Sequence, residues 1–190
     1  MCDLIVGLEG WTIQDGNWPD FQRGGVPVFS FEFHPKSLKP CNPKPLQFRH
    51  VTENLYYVVG TTNYSFSKVT VLDFGGLMAY KKFLQLDPDI EFYEGEVYFN
   101  VDPYFYRDSI SKRTGMPNLA RPWKIKKIWH DATPYKLQWS QKIQKNVFRP
   151  SENEPQWRQI EKTDAWHDNR LEGRNLPPNP FYLLYLDKRL

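Results

Sequence analysis

The residues from 91 to 106, EFYEGEVYFNVDPYFY, alternate in polarity and end at an Asp-Pro turn rich in aromatic residues. A period of two is typical of a β-strand whose two faces meet different surroundings. One face carries Tyr93, Val97, Phe99 and Val101. The other carries Phe92, Glu94, Glu96, Tyr98 and Asn100. This polar face is either the solvated side of a sheet or the acid/base wall of an aromatic pocket.

Other stretches with strand-like patterns flank this one, at 3–8, 28–33, 55–60, 68–74 and 123–129. A polar turn at 61–63 predicts that 55–60 and 68–74 form a hairpin, whereas 77–86 fits either a helix or a strand. Many short strands without regular helices between them predict a mainly β, single-domain barrel of the OB type. Gly95 is placed for the bend or bulge that lets one strand serve both sides of such a barrel.

The pattern changes after residue 132. Residues 135, 139, 143 and 147 are apolar at fourfold spacing, which predicts an amphipathic helix, and 155–167 fits a second, shorter one. Residues 175–180 contain three prolines and predict an extended arm, and 181–186 predict a last strand that pairs with the sheet or with another subunit. We therefore expect a barrel core at 1–132 and a helical and extended region at 133–190, packed on the barrel or on a partner subunit.

Composition narrows the function classes. The 25 basic and 22 acidic residues give a net charge of +3, less than a dedicated nucleic-acid binder carries. The basic residues concentrate in 112–145, which is either a solvated face or a phosphate-binding surface. Two cysteines, no apparent signal peptide and no long apolar run predict a cytoplasmic protein without a membrane segment.

Catalytic motifs are sparse. The sequence contains no Gly-rich nucleotide fingerprint, no HExxH motif and no nucleophile elbow, and we expect neither a cofactor nor a metal site. The four histidines are interpreted as surface or turn residues. The remaining candidates are Glu94 and Glu96 with Tyr98, because desolvation in an aromatic cavity would raise the pKa of a carboxyl group into the range for proton transfer. Arg49 and His50 would bind a substrate carboxylate. The alternative is that this is only the wet face of a strand.

Three segments, GWTIQDGNWPDF, VLDFG and GEVYFNVDPYFY, resemble a family of small bacterial proteins that includes the β-carboline synthases, which are Pictet–Spengler enzymes acting on tryptophan. The resemblance covers about residues 4–130. It implies a homodimer that condenses an aromatic amine with an aldehyde, with Glu96 as general acid and base. The basic residues that the resemblance implies as assistants to the glutamate have no clear counterpart in this sequence, since 68–74 contains no arginine and 77–90 contains no histidine.

Two hypotheses follow. The first is a small-molecule enzyme with an aromatic-lined pocket, for which Glu96 is the catalytic residue and Arg49, His50, Tyr98 and Glu94 bind the aromatic substrate. The second is a module without catalysis that binds single-stranded nucleic acid or a protein, with exposed rings as stacking platforms.

Overall fold

In the computed structural model, residues 3–84, 86, 87, 89–142, 144–150, 156–164 and 181–187 are described. The strands are β1 (Leu4–Glu9), β2 (Val28–Phe29), β3 (Phe31–Pro35), β4 (Lys39–Pro40), β5 (Gln47–Thr52), β6 (Leu55–Phe66), β7 (Val69–Asp73), β8 (Met78–Lys82), β9 (Phe92–Val101), β10 (Arg121–Pro122), β11 (Ile125–Asp131), β12 (Tyr135–Ser140), β13 (Lys145–Pro150), β14 (Trp157–Ile160) and β15 (Phe181–Leu186). Two single-turn helices, α1 (Trp11–Gln14) and α2 (Phe105–Asp108), and a 3-10 turn at Ile110–Lys112 complete the described elements. In this part of the chain, no helix has the length and apolar character needed to cross a membrane.

Five strands close into a barrel, in the order β9, β3, β8, β7, β6 and back to β9. The pairing of β3 with β8 is parallel, and the other four pairings are antiparallel. The predicted mainly β barrel is therefore confirmed.

The pairing pattern is that of an OB barrel with its strands circularly permuted. In an OB barrel a three-strand meander is followed by two strands, the last of which closes the barrel by parallel pairing with the third. Here β6, β7 and β8 form the meander and β9 follows it, but the closing strand β3 precedes the meander in the chain. Among the described strands the longest is β6, which pairs with β5, β7 and β9.

The alternation predicted for β9 is confirmed. Tyr93, Val97 and Phe99 are buried in the barrel core, whereas Glu94 and Glu96 lie on the outer face. The pairing of β9 with β6 has no register shift, so β9 itself contains no bulge at Gly95 and its alternation continues through this residue. The bulge lies instead in the segment between β3 and β4, which passes across the backbone of Gly95.

A second group of strands extends the sheet away from the barrel, in the order β9, β1, β15, β11 and β14. It begins where Gly7 of β1 pairs in parallel with Asn100 at the end of β9. The predicted last strand, β15, lies between β1 and β11 of the same chain, with Tyr182 and Leu184 buried. The two parts of the sheet share one apolar core.

A smaller core lies on the outer side of β7 and β8. Val69, Val71 and Tyr80 from these strands pack against Tyr106, Ile110 and Leu119. The segment from α2 to residue 119 thus covers the outer surface of the meander.

Several sequence-based predictions are wrong in detail. The helix predicted at 135–147 is instead a hairpin of β12 and β13, and the described part of 155–167 contains β14 and no helix. The turn predicted at 61–63 is a bulge within β6, and the chain reverses at Ser67 and Lys68, both at positive φ. A bulge also interrupts the alternation predicted at 123–129. The arm predicted at 175–180 lies outside the described residues.

Candidate functional site

A small cavity, here called the polar cavity, is bordered by β1, β3, β9, α1 and the turn into α2. Its volume is about 140 Å³. Its lining combines carboxylates, a histidine and aromatic rings: Glu9, Trp11, Thr12, Glu32, His34, Asn100, Val101, Pro103 and Phe105.

Strand β3 supplies the two central ionisable groups of the polar cavity. Phe31 and Phe33 of β3 are in the barrel core, so the period of two places Glu32 and His34 on the other face. The register with β9 sets Glu32 opposite Asn100. Glu32 is only 7% exposed, and a buried carboxylate of this kind requires a charged or hydrogen-bonding partner.

Lys81 of β8 is that partner. Its Nζ lies 2.9 Å from Glu32 Oε1 and 3.1 Å from His34 Nδ1. An ammonium group only donates hydrogen bonds, so Nδ1 is the acceptor and the neutral ring carries its hydrogen on Nε2. This Nε2 lies 3.6 Å from Glu32 Oε2. The three side chains therefore form one connected acid–base network.

The His34 ring is held in its neutral form. Burial lowers the pKa of His34 below its ordinary value of 6.5, and the Lys81 charge lowers it further. The negative charges of Glu32 and Glu9 act in the opposite direction, but they do not cancel the effect of burial. A neutral imidazole beside a carboxylate can both donate and relay a proton near neutral pH.

A second buried carboxylate, that of Asp102, supports the wall of the cavity. Tyr80 Oη donates a short hydrogen bond to Asp102 Oδ1, and the Tyr106 backbone N–H donates to both carboxylate oxygens at 3.2 Å. Burial raises the pKa of Asp102 and that of Tyr80. These bonds fix the turn that carries Pro103 and Phe105 into the cavity lining.

A wider groove, here called the aromatic groove, adjoins the polar cavity and has a volume of about 530 Å³. The two share Glu9, His34 and Asn100. The remaining lining residues of the groove are Glu53, Asn54, Tyr98, Asp131, Tyr135 and Phe181. Three Tyr or Phe rings, the His34 ring and three carboxylates thus line the groove, and no Lys or Arg side chain of the described residues does. Such a surface suits a ligand with an aromatic ring and a positive charge.

The residue predicted to be catalytic, Glu96, lies on the outer surface of the barrel. Its Oε2 is 2.8 Å from Lys36 Nζ, and it is not among the lining residues of the polar cavity or the aromatic groove. Glu94 lies two residues earlier, beside a shallow pocket at 40–44, and accepts hydrogen bonds from Lys44 and Tyr57. These contacts lower the pKa of Glu94.

The other predicted binding residues lie in three places. The Arg49 guanidinium lies 5.3 Å from the ring centre of Tyr57, so Arg49 and Glu94 share this tyrosine as a neighbour. His50 Nε2 lies 2.8 Å from the Glu53 carbonyl oxygen. Tyr98 lines the aromatic groove. Of the five predicted site residues, only Tyr98 reaches the groove.

Sequence reasoning missed Glu9, Glu32, His34 and Lys81. One signal was present: Glu32 and His34 alternate with Phe31 and Phe33 at the end of a predicted strand, which places both polar residues on one face. Nothing in the local sequence brings Lys81 to them, since the contact depends on the parallel pairing of β3 with β8.

Comparison with family models, curated proteins and solved structures finds no significant match to this chain. Among the described residues, no group of three or more His, Cys, Asp or Glu side chains is arranged to hold a metal ion.

Proposed function

We propose that the protein is an enzyme that performs acid–base chemistry on a small molecule bound in the polar cavity and the aromatic groove. The observation that carries the proposal is that Glu32 and His34 line a cavity with aromatic residues and are joined by Lys81 in one hydrogen-bonded network. Interacting acid and base side chains that converge in a concave site, one of them a histidine whose pKa is lowered by burial, are typical of catalytic centres.

Each member of the network has a distinct role. Glu32 binds Lys81 through Oε1, so its Oε2 is the oxygen that accepts a proton from the substrate. His34 donates its Nε2 hydrogen to the group that leaves or becomes negative. Lys81 then passes a proton to Nδ1, so the ring stays neutral. Proton transfer of this kind contributes about 10²–10⁴-fold to a rate.

The condensation of an aromatic amine with an aldehyde is a reaction that this arrangement serves. Its first stage needs an acid, because water must leave before the iminium forms. Its second stage needs a base, because ring closure leaves a proton to be removed from the aromatic ring. His34 fits the first requirement and Glu32 the second, while the carboxylates and rings of the groove complement a protonated aromatic amine.

The test is turnover of L-tryptophan and tryptamine with a panel of small aldehydes, followed by mass spectrometry for cyclised product. The variants are Glu32→Gln, His34→Gln and Glu96→Gln, with Glu94→Gln as the matched control on the same outer face as Glu96. We expect the wild type to form product, and the first two substitutions to lower the rate about 100-fold or more. The Glu96→Gln and Glu94→Gln variants should retain activity.

The outcomes separate two locations for the reaction. Loss of product in Glu96→Gln with retention in Glu32→Gln would move the active site to the outer face and overturn the cavity assignment. Absence of product from the wild type with every pair would remove the condensation. Perturbation of the His34 ring signals in NMR spectra by tryptamine would then still report binding at the cavity, and unchanged signals would remove the substrate class as well.

A further inference from the structure

The open end of the meander carries two protruding rings among basic side chains. These are Phe66 at the end of β6, Lys68 in the turn, Lys82 and Phe83 at the end of β8, and Arg113 after the 3-10 turn, here called the rim patch. None of them lines the polar cavity or the aromatic groove.

The two rings are unusually exposed. Phe83 is 72% exposed and Phe66 67%, the highest values among the large apolar side chains of the described residues. They belong to the same end of the barrel, because Phe66 pairs with Val69, and Val69 in turn pairs with Lys82. A single exposed ring needs no explanation, but two together on one rim form a surface that binding would cover.

Phe83 has a strained backbone conformation in its outward position. Its φ is +62°, in the left-handed region that bulky residues rarely adopt. The conformation is fixed by a hydrogen bond of 2.7 Å from the Phe83 N–H to the Lys68 carbonyl oxygen. Lys68 is also at positive φ. Strain retained at an exposed aromatic residue indicates a functional constraint, because it destabilises the fold while most of the ring stays in contact with solvent.

The cations of the rim patch are held in place by their neighbours. Lys82 Nζ lies 3.8 Å from the ring centre of Phe105 and 4.9 Å from that of Phe83. Arg113 Nη1 donates to the Ser67 carbonyl oxygen at 3.1 Å. The three segments that meet here, 61–72, 78–86 and 109–120, contain no Asp or Glu. The local charge is therefore positive, although the chain as a whole is nearly neutral.

We propose that the rim patch binds single-stranded nucleic acid, with bases stacked on Phe66 and Phe83 and phosphates contacted by Lys68, Lys82 and Arg113. Exposed rings among cations are the features that bind single strands without sequence preference. The first loop of the meander is also a ligand-binding loop of OB barrels. The outer face of β7 and β8, the other common OB surface, is covered by the segment from α2 to residue 119, so the rim is the part of this region left open. This inference is independent of the proposed enzymatic function.

The test is fluorescence anisotropy of a labelled oligothymidylate of about 15 nucleotides, a length within the range that one OB barrel binds. We expect binding that weakens with salt, with a slope of about −2 in a plot of log K against log salt, because three cations release counterions from a single strand. Substitution of either Phe66 or Phe83 by alanine should weaken binding about tenfold. Lys68→Gln should reduce the slope by about 0.7.

Two further variants keep the test decisive. Trp139→Ala removes an equally prominent ring, 61% exposed, from the basic β12–β13 hairpin, and should leave the affinity unchanged. Phe83→Gly removes the ring and also relieves the strained φ, so it should weaken binding while raising the unfolding midpoint. Absence of binding at low salt would overturn the proposal. So would equal loss in Trp139→Ala, full affinity in the phenylalanine variants, or binding only to phosphatidylserine vesicles.

Discussion

Replacement of Gly95 by alanine tests how the barrel is closed. Gly95 lies in β9 with φ +146°. The segment that connects β3 to β4 passes directly across it. A Cβ atom here would lie 2.7 Å from the Ser37 carbonyl carbon and 2.9 Å from the Leu38 Cα. Both are backbone atoms, so no side-chain rotation relieves the clash. The crossing segment must move if any residue other than glycine occupies this position.

The magnitude follows from two contributions. An L-residue at this φ costs about 1–3 kcal/mol. Displacement of the crossing segment also threatens the hydrogen bonds from the Lys36 and Ser37 N–H groups to the Glu96 carbonyl oxygen, at 2.8 and 3.1 Å, each worth about 0.5–1.5 kcal/mol. Together they predict that Gly95→Ala lowers the free energy of unfolding by about 2–6 kcal/mol. That is a large share of the roughly 5–15 kcal/mol typical of a domain.

Urea denaturation, monitored through the fluorescence of the seven tryptophans, measures this loss of stability directly. The expected decrease in the urea midpoint is about 1–3 M. The matched control is Gly16→Ala, because Gly16 also has a positive φ, +73°, but a Cβ atom there meets nothing within 4 Å. It should cost only the conformational strain, about 1–2 kcal/mol. Equal destabilisation by the two substitutions would refute the steric explanation.

Three predictions concern the polar cavity and its support. The pKa of His34 is below 6.5 in the folded state, so as the pH falls the unfolded chain binds this proton before the folded protein does. The free energy of unfolding should therefore decrease as the pH drops below 6.5. Unfolding measured at a series of pH values should show a weaker pH dependence of stability in His34→Gln than in the wild type. Glu32→Gln should lower the pKa of His34 further, because it removes a neighbouring negative charge. An NMR titration of the His34 ring measures this pKa, and an unchanged or higher value would contradict the contact between Glu32 and His34. Tyr80→Phe should lower the free energy of unfolding by about 1–3 kcal/mol in urea denaturation, because the buried Asp102 loses a donor. Tyr64→Phe, which loses only an exposed contact, should have little effect, and equal losses would count against the buried hydrogen bond.

The barrel strands were predictable because their patterns are local. In β9 a ring or aliphatic residue occupies the buried face at nearly every second position, and the burial of Tyr93, Val97 and Phe99 follows this pattern. The location of the hairpin turn was not predictable in this way, because β6 continues through a bulge to Phe66 and the chain reverses only at Ser67. A bulge changes register without a change in composition, so sequence alone does not reveal it.

The wrong helix at 135–147 has a different cause. Tyr135 and Trp139 are four residues apart, which satisfies a helical period, but Tyr135, Leu137 and Trp139 also satisfy a strand period. The chain resolves the ambiguity by turning between β12 and β13, with Gln144 at positive φ. Here the local pattern supports both structures, and pairing between the two strands decides which one forms.

The candidate site was hidden from sequence because it is built where the barrel joins the second group of strands. At this junction Gly7 pairs with Asn100, and Asn54 donates to the Asn100 side chain at 2.7 Å. A Cβ atom on Gly7 would lie 2.6 Å from Asn54 Nδ2 and 2.8 Å from the Phe181 ring. The close approach that glycine permits brings together three strands, β1, β9 and β15, and the turn between β5 and β6, which are distant from one another in the chain. Because β3 precedes the meander and β15 follows the other described strands, the groups that line the cavity and the groove are far apart in the sequence. The set of side chains at this junction is therefore determined by the order in which the strands pair, and no local sequence motif reveals it.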